Sequence, residues 1–187
     1  MNMWWLIAGL VLFLGIHLFS SLRPVRARLI ARVGEGAYKG LYSLLALAGF
    51  GLIVAGMGKA PSIELWEPPA WGRFAAIWSM PFALILLAAA FIPGNLKRLT
   101  AHPMLWAVTL WALVHLLANG DLAGLLLFGG FSLYALYAMW SQNRRGARPT
   151  QARRAIAGDV GAVVIGLVAY GLLMKFHPNL FGVAVWT

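Results

Sequence analysis

Six stretches of the chain are almost continuously apolar, and the polar residues gather between them. The runs lie at about 4–22, 37–57, 74–93, 103–118, 122–140 and 159–175. Most approach or reach the roughly 17–25 residues that cross a bilayer as a helix, so the pattern predicts an all-α, polytopic bundle of six transmembrane helices. Arg23, Arg26, Arg28 and Arg32 directly follow the first run. A secretory signal carries its charges before the apolar core, so this order predicts a retained anchor. The segment from Arg23 to Val33 reads as a basic helix lying on the membrane surface, with Val25, Leu29 and Ile30 at helical spacing.

The segments between the spans carry their own signals. Gly49, Gly51 and Gly56 in the second run are small enough for close helix contact in lipid. Tyr38 and Tyr42, one turn apart at its start, are expected at the headgroup level, as are Trp66 and Trp71 in the loop GKAPSIELWEPPAWGR. Pro81 should kink the third span unless a neighbour compensates for its missing N–H. Asn119-Gly120-Asp121 forms a tight turn that makes spans four and five an antiparallel hairpin. Residues 141–158 form the long hydrophilic loop, and the stretch from His177-Pro178 onward, too short to cross as a helix, is expected at the interface or against the bundle.

Charge placement adds orientation. Segments 23–39, 94–103 and 141–158 hold twelve of the fifteen Lys and Arg residues. The positive-inside rule puts these segments in the cytoplasm and both termini on the other side, as in a bacterial cytoplasmic membrane protein. The net charge of +10 does not imply nucleic acid, because no free basic domain exists to carry phosphate contacts. With 61% apolar and 11% charged residues in 187, a single membrane domain accounts for 1–187. No internal repeat of the kind found in transporters is visible.

Two ionisable residues lie deep in the apolar runs: His17 and His115. A titratable side chain in hydrocarbon is costly and usually faces the bundle interior, where it serves a pathway, a metal or a hydrogen bond. The two backbones differ in depth by about 10 Å at 1.5 Å per residue, which tilt and side-chain reach can absorb. Two histidines from facing helices, with no cysteine in the chain and no carboxylate inside the membrane, suit the axial positions of a b-type haem better than zinc, which takes three or four ligands. The same absence of intramembrane carboxylates excludes di-iron and paired-carboxylate chemistry. The competing reading is a histidine hydrogen-bonded to a neighbouring helix. Asn119, one turn beyond His115, either orients the imidazole or ends the helix as a cap. Ser20 and Ser21 either support His17 or bond back to their own helix. Arg23 and Arg26 either pair with haem propionates or only set topology. His102 lies about 20 Å along its helix from His115 and reads as a basic residue beside the headgroups, and His177 reads as interfacial.

The stretch GIHLFSSLRPVRARLIARVGEGAYKGLYSLLAL, the LWEPPAW loop and HPMLWAVTLWALVHLLANGDLAGLLLFG resemble the NnrU family of bacterial membrane proteins over about residues 5–140. The last third carries less distinctive residues. The resemblance implies a link to nitrite and nitric oxide reduction in denitrification. It also implies a relation to the plant 15-cis-zeta-carotene isomerase, a membrane protein that depends on haem b. Carried across, that enzyme's ligand histidines fall on His17 and His115, and His102 matches a further histidine that is not an axial ligand.

Three functions follow as expectations. The first is a haem-b protein that binds or responds to nitric oxide through His17 and His115, with Asn119 and Arg23 also at the cofactor. The second is a haem-dependent, non-redox cis-trans isomerase of an apolar polyene. The third is an assembly partner of a respiratory membrane complex.

Overall fold

A computed structural model describes residues 3–185. The chain is helical throughout its apolar runs: α1 (Trp4–Ser21), α2 (Arg23–Val33), α3 (Glu35–Met57), α4 (Gly72–Phe91), α5 (Pro103–Ala118), α6 (Leu122–Arg144) and α7 (Ile156–Phe181). Five of these are long and apolar enough to cross a membrane, and α5 is a shorter apolar helix. Large apolar side chains such as Val11, Leu44, Leu47, Trp78, Phe82, Phe91 and Leu133 remain exposed on the outer faces. That surface suits a lipid solvent and would be a liability in water.

Chain breaks follow local chemistry. Pro24 occupies the first turn of α2, where no N–H is needed. Gly34, between α2 and α3, takes φ 84°, a conformation that side chains resist. Helix α2 buries none of its residues fully, as expected of a surface helix.

The frame consists of α1 paired with α3, and of α4 packed against both α5 and α7, with α6 bridging the two groups. Small residues set the first pairing. A Cβ added at Gly49 would lie 2.8 Å from the Phe13 nitrogen, and one at Gly9 2.6 Å from the Ile53 nitrogen. Gly56 is in the same seam, against Leu6, whereas Gly51 faces open space. Two of the three glycines expected to make helix contact therefore do so; Gly51 lies on the opposite face because it is two positions, about 200°, from Gly49.

Helix α4 runs continuously through Pro81. Proline removes the N–H that would bond to the Ile77 carbonyl, and Tyr170 of α7 supplies a substitute, its hydroxyl donating to Ile77 O at 3.1 Å. The compensation asked of a neighbour comes from 93 residues away.

At one end of the bundle, the 58–71 loop is tied to the turn after α5. The Leu65 and Trp66 amides both donate to Gly120 O, at 2.8 and 3.1 Å, and Leu122 N donates to Ile63 O at 2.9 Å. Asp121 caps α6 by accepting from Gly124 N at 2.8 Å. At the other end, Asp159 accepts from Asn95 Nδ2 and Leu96 N, at 2.7 and 2.9 Å, and Asn95 Oδ1 accepts from Arg154 N at 3.0 Å. The three cationic segments lie at this second end.

One expectation is corrected here. The sixth helix does not stop near residue 175 but continues through Pro178 to Phe181, where Gly182, at φ 72°, ends it. Pro178 removes only one backbone hydrogen bond, and His177 Nδ1 donates to Val183 O at 2.8 Å, which holds the helix end. The tail expectation for residues 186–187 lies outside the described residues. In addition, α6 contains one π-helical stretch, Leu125–Gly129, that hydropathy does not signal.

Candidate functional site

The interior cluster joins α1, α3, α5 and α6 through Leu6, Leu10, Ile53, Ala112, Ala123, Leu127 and Phe128. Against it lies a continuous run of aromatic rings. Phe13 packs on His17 at 4.3 Å and on Phe131 at 5.5 Å; Phe131 meets Trp111 at 5.5 Å; Trp111 meets His115 at 5.6 Å. Phe128, in the π-helical stretch, covers His115 at 4.9 Å and Trp111 at 5.1 Å. Stretches of this kind recur at functional sites because they re-aim side chains, and here one carries the ring that covers His115.

Both histidines make the same hydrogen bond. His17 Nδ1 lies 2.6 Å from Phe13 O, and His115 Nδ1 lies 2.7 Å from Trp111 O. A carbonyl only accepts, so Nδ1 carries the proton in each case, and in the neutral ring Nε2 is the atom that carries the lone pair. This is the tautomer that a metal-binding imidazole uses, oriented by a bond from its other nitrogen. The chemistry of the donor set therefore fits a haem iron: two imidazoles that each keep Nε2 out of the carbonyl bond, no thiolate and no intramembrane carboxylate. Among the described residues no cluster of three or more His, Asp or Glu exists that would suit another metal.

The structure does not bring the two imidazoles into contact with each other. His17 lies one turn from the cationic end of α1, His115 lies one turn from the opposite end of α5, and the rings of Phe13, Phe131 and Trp111 stand between them. The space between them is filled with aromatic side chains.

The remaining residues sort themselves. Asn119 acts as the helix end-cap, its amide donating to His115 O at 2.7 Å rather than to the ring. Ser20 and Ser21 bond back to the His17 carbonyl at 2.7 and 3.4 Å. Arg23 is exposed at the start of α2, and Arg26 lies over the Tyr38 ring at 5.6 Å. His102 is not a headgroup residue: it is only 7% exposed, and its Nε2 donates to Asn143 Oδ1 at 2.8 Å, tying α5 to α6. Tyr38, at the same cationic end, is buried beneath Arg26, only 6% exposed.

A cleft of about 390 Å³ opens beside His17, lined by Ser20, Arg26, Tyr38, Lys39, Tyr42 and Ser43. Two of its lining residues touch His17: Tyr42 through a ring contact at 5.5 Å, and Ser20 through the carbonyl bond. Tyr134 approaches the same imidazole edge-on at 5.9 Å. Sequence reasoning missed Tyr134, Phe131 and Phe128; the closely spaced glycines 124, 129 and 130 around the irregular turn were the available signal.

A family model described as NnrU protein matches residues 5–185, running beyond the distinctive motifs into the last third of the chain. No curated protein and no solved structure matches the chain.

Proposed function

The chain belongs to the NnrU family, and from that premise we propose that it is a multi-pass haem-b protein of the bacterial cytoplasmic membrane that binds nitric oxide. The observation that carries the reading is the shared state of the two membrane-depth histidines. Each commits Nδ1–H to the carbonyl one turn back and keeps a lone pair on Nε2, on either side of one aromatic layer.

A b-type haem, if bound, would supply an iron able to bind imidazole nitrogen and a diatomic such as nitric oxide. In this reading His17 would be the principal ligand, because its Nδ1–H is committed to Phe13 O and it borders a cleft with cationic and hydroxyl groups along its wall. His115 lies across the aromatic layer and would reach the same iron only if Phe13, Phe131 and Trp111 repacked, which would make it the exchangeable one. Phe13, Trp111, Phe128 and Phe131 exclude water and hold both rings in orientation. Asn119 fixes the end of α5 and so the height of His115. The Arg-rich end faces the cytoplasm.

The test is an absorption spectrum of detergent-purified protein supplied with haem, oxidised and then reduced with dithionite, before and after nitric oxide. A b-type spectrum that shifts when nitric oxide meets the reduced protein is the expected result. A protein that stays colourless after reconstitution would overturn the reading and leave the respiratory-partner role in front.

A further inference from the structure

We propose that the cleft beside His17 is an oxyanion site that takes a carboxylate or a phosphate. It lies where α1, α2 and α3 meet at the cationic end of the bundle, and its lining holds two cations, Arg26 and Lys39, and four hydroxyl side chains, with no carboxylate. Glu35 pairs with Lys39 at 2.8 Å, but both side chains are exposed, and Glu35 is not part of the lining.

The pointer to a ligand is Tyr38. Its side chain is more than nine-tenths buried, yet its hydroxyl has no hydrogen-bond partner, one of only two buried side-chain polar atoms so left among the described residues. A buried hydroxyl without an acceptor is costly, and native structures rarely tolerate one unless something else completes it. Arg26 lies over the same ring at 5.6 Å, so whatever accepts from the Tyr38 hydroxyl sits in the field of a guanidinium. A cation is repelled there and an apolar group leaves the hydroxyl unpaired. An oxyanion accepts from Tyr38 and Arg26 together, in bonds that are stronger than neutral ones.

Two sources offer that chemistry at the edge of a membrane: a propionate of haem b, which rests on the reading above, and the phosphate of an anionic lipid, which does not. The distinguishing experiment uses the full-length protein, with Tyr38→Phe and Arg26→Gln as variants. Tyr38→Phe keeps the ring under Arg26 and removes only the hydroxyl, so its ligand-free melting temperature should equal or exceed that of the native protein.

Each protein is titrated with haem b and with haem b dimethyl ester in detergent free of anionic lipid. In parallel, native mass spectrometry follows retention of phosphatidylglycerol against phosphatidylcholine. A preference for the free acid over the ester of about tenfold or more, lost in both variants, establishes the site with a carboxylate occupant. Equal binding of acid and ester, or no haem binding at all, together with phosphatidylglycerol retention that both variants lose, establishes it with a phosphate occupant. Absence of both preferences, or their survival in Tyr38→Phe and Arg26→Gln, overturns the proposal. Failure of the native chain to bind either porphyrin sinks the haem reading alone, since the lipid arm still decides the oxyanion site.

Discussion

His102 and His17 both lie toward the cationic end of the bundle, yet their surroundings are built on opposite terms. Around His102 the polar groups are satisfied even though it borders a cleft: Nε2 donates to Asn143, the backbone amide donates to Thr100 Oγ1 at 3.0 Å, and the side chain is only 7% exposed. Around His17 they are not. The ring uses only Nδ1 in its bond to Phe13 O, and the cleft beside it is lined by Tyr38, whose hydroxyl is unpaired. The Ile77 carbonyl, freed by Pro81 and taken up by Tyr170, belongs with His102; Ser132, buried in α6 without a partner, belongs with Tyr38. A closed polar pair holds helices together, whereas an open polar group is a place reserved for something else or a small standing cost.

That contrast is broken most severely at the histidines themselves. In protein supplied with haem, His17→Ala should abolish the b-type spectrum, His115→Ala should change its coordination while haem stays bound, and His102→Ala should leave the spectrum unaltered. Optical titration of the three variants reads all of this, and a His102→Ala spectrum as damaged as that of His17→Ala would erase the distinction.

Stability gives the next effect. Asn143→Ala leaves the buried His102 ring without its partner and should cost about 1–3 kcal/mol, and the His102→Ala/Asn143→Ala double variant should cost less than the two single variants together, as coupling through one hydrogen bond requires. Thermal unfolding in detergent measures it.

A smaller change is expected at Tyr170. Tyr170→Phe should cost about 1 kcal/mol in the native background. In a Pro81→Ala background the cost should vanish, because the amide of residue 81 then donates to the Ile77 carbonyl. Persistence of the full cost in that background would mean that Tyr170 acts through packing.

The smallest effect lies on the open side. Ser132→Ala removes an unpaired buried hydroxyl and should shift stability by no more than about 0.5 kcal/mol, toward greater stability if at all. A clear loss would show that Ser132 has a partner in solution.

The helices were legible because lipid writes a simple code: runs of apolar residues whose ends carry arginine, proline, glycine or a polar turn. The α5 boundaries at Pro103 and Ala118 and the Asn119–Asp121 turn are readable from residue type alone. Pairings were less so. His102 read as a headgroup residue because its partner, Asn143, is 41 positions away at the start of a hydrophilic stretch. The burial of Tyr38 was not readable because hydropathy does not reveal that α2 folds Arg26 back over its ring. Gly49 and Gly51 are the same residue to composition, and only the position of Phe13 separates them. The continuation of α7 past Pro178 was hidden because proline is a stop signal on average, and here Gly182 supplies the stop instead. For the candidate site, the two important histidines stood out as the ionisable residues in hydrocarbon. The aromatic layer between them did not, since Phe13, Trp111, Phe128 and Phe131 are unremarkable in a chain with nine Trp and ten Phe.

The claim that His17 ligates a haem iron is tested most directly by cavity rescue. His17→Gly, purified and reconstituted with haem b, should lack the native spectrum, and added imidazole should restore it by occupying the space left by the side chain. A His17→Gly protein that shows the native spectrum without imidazole would contradict the account.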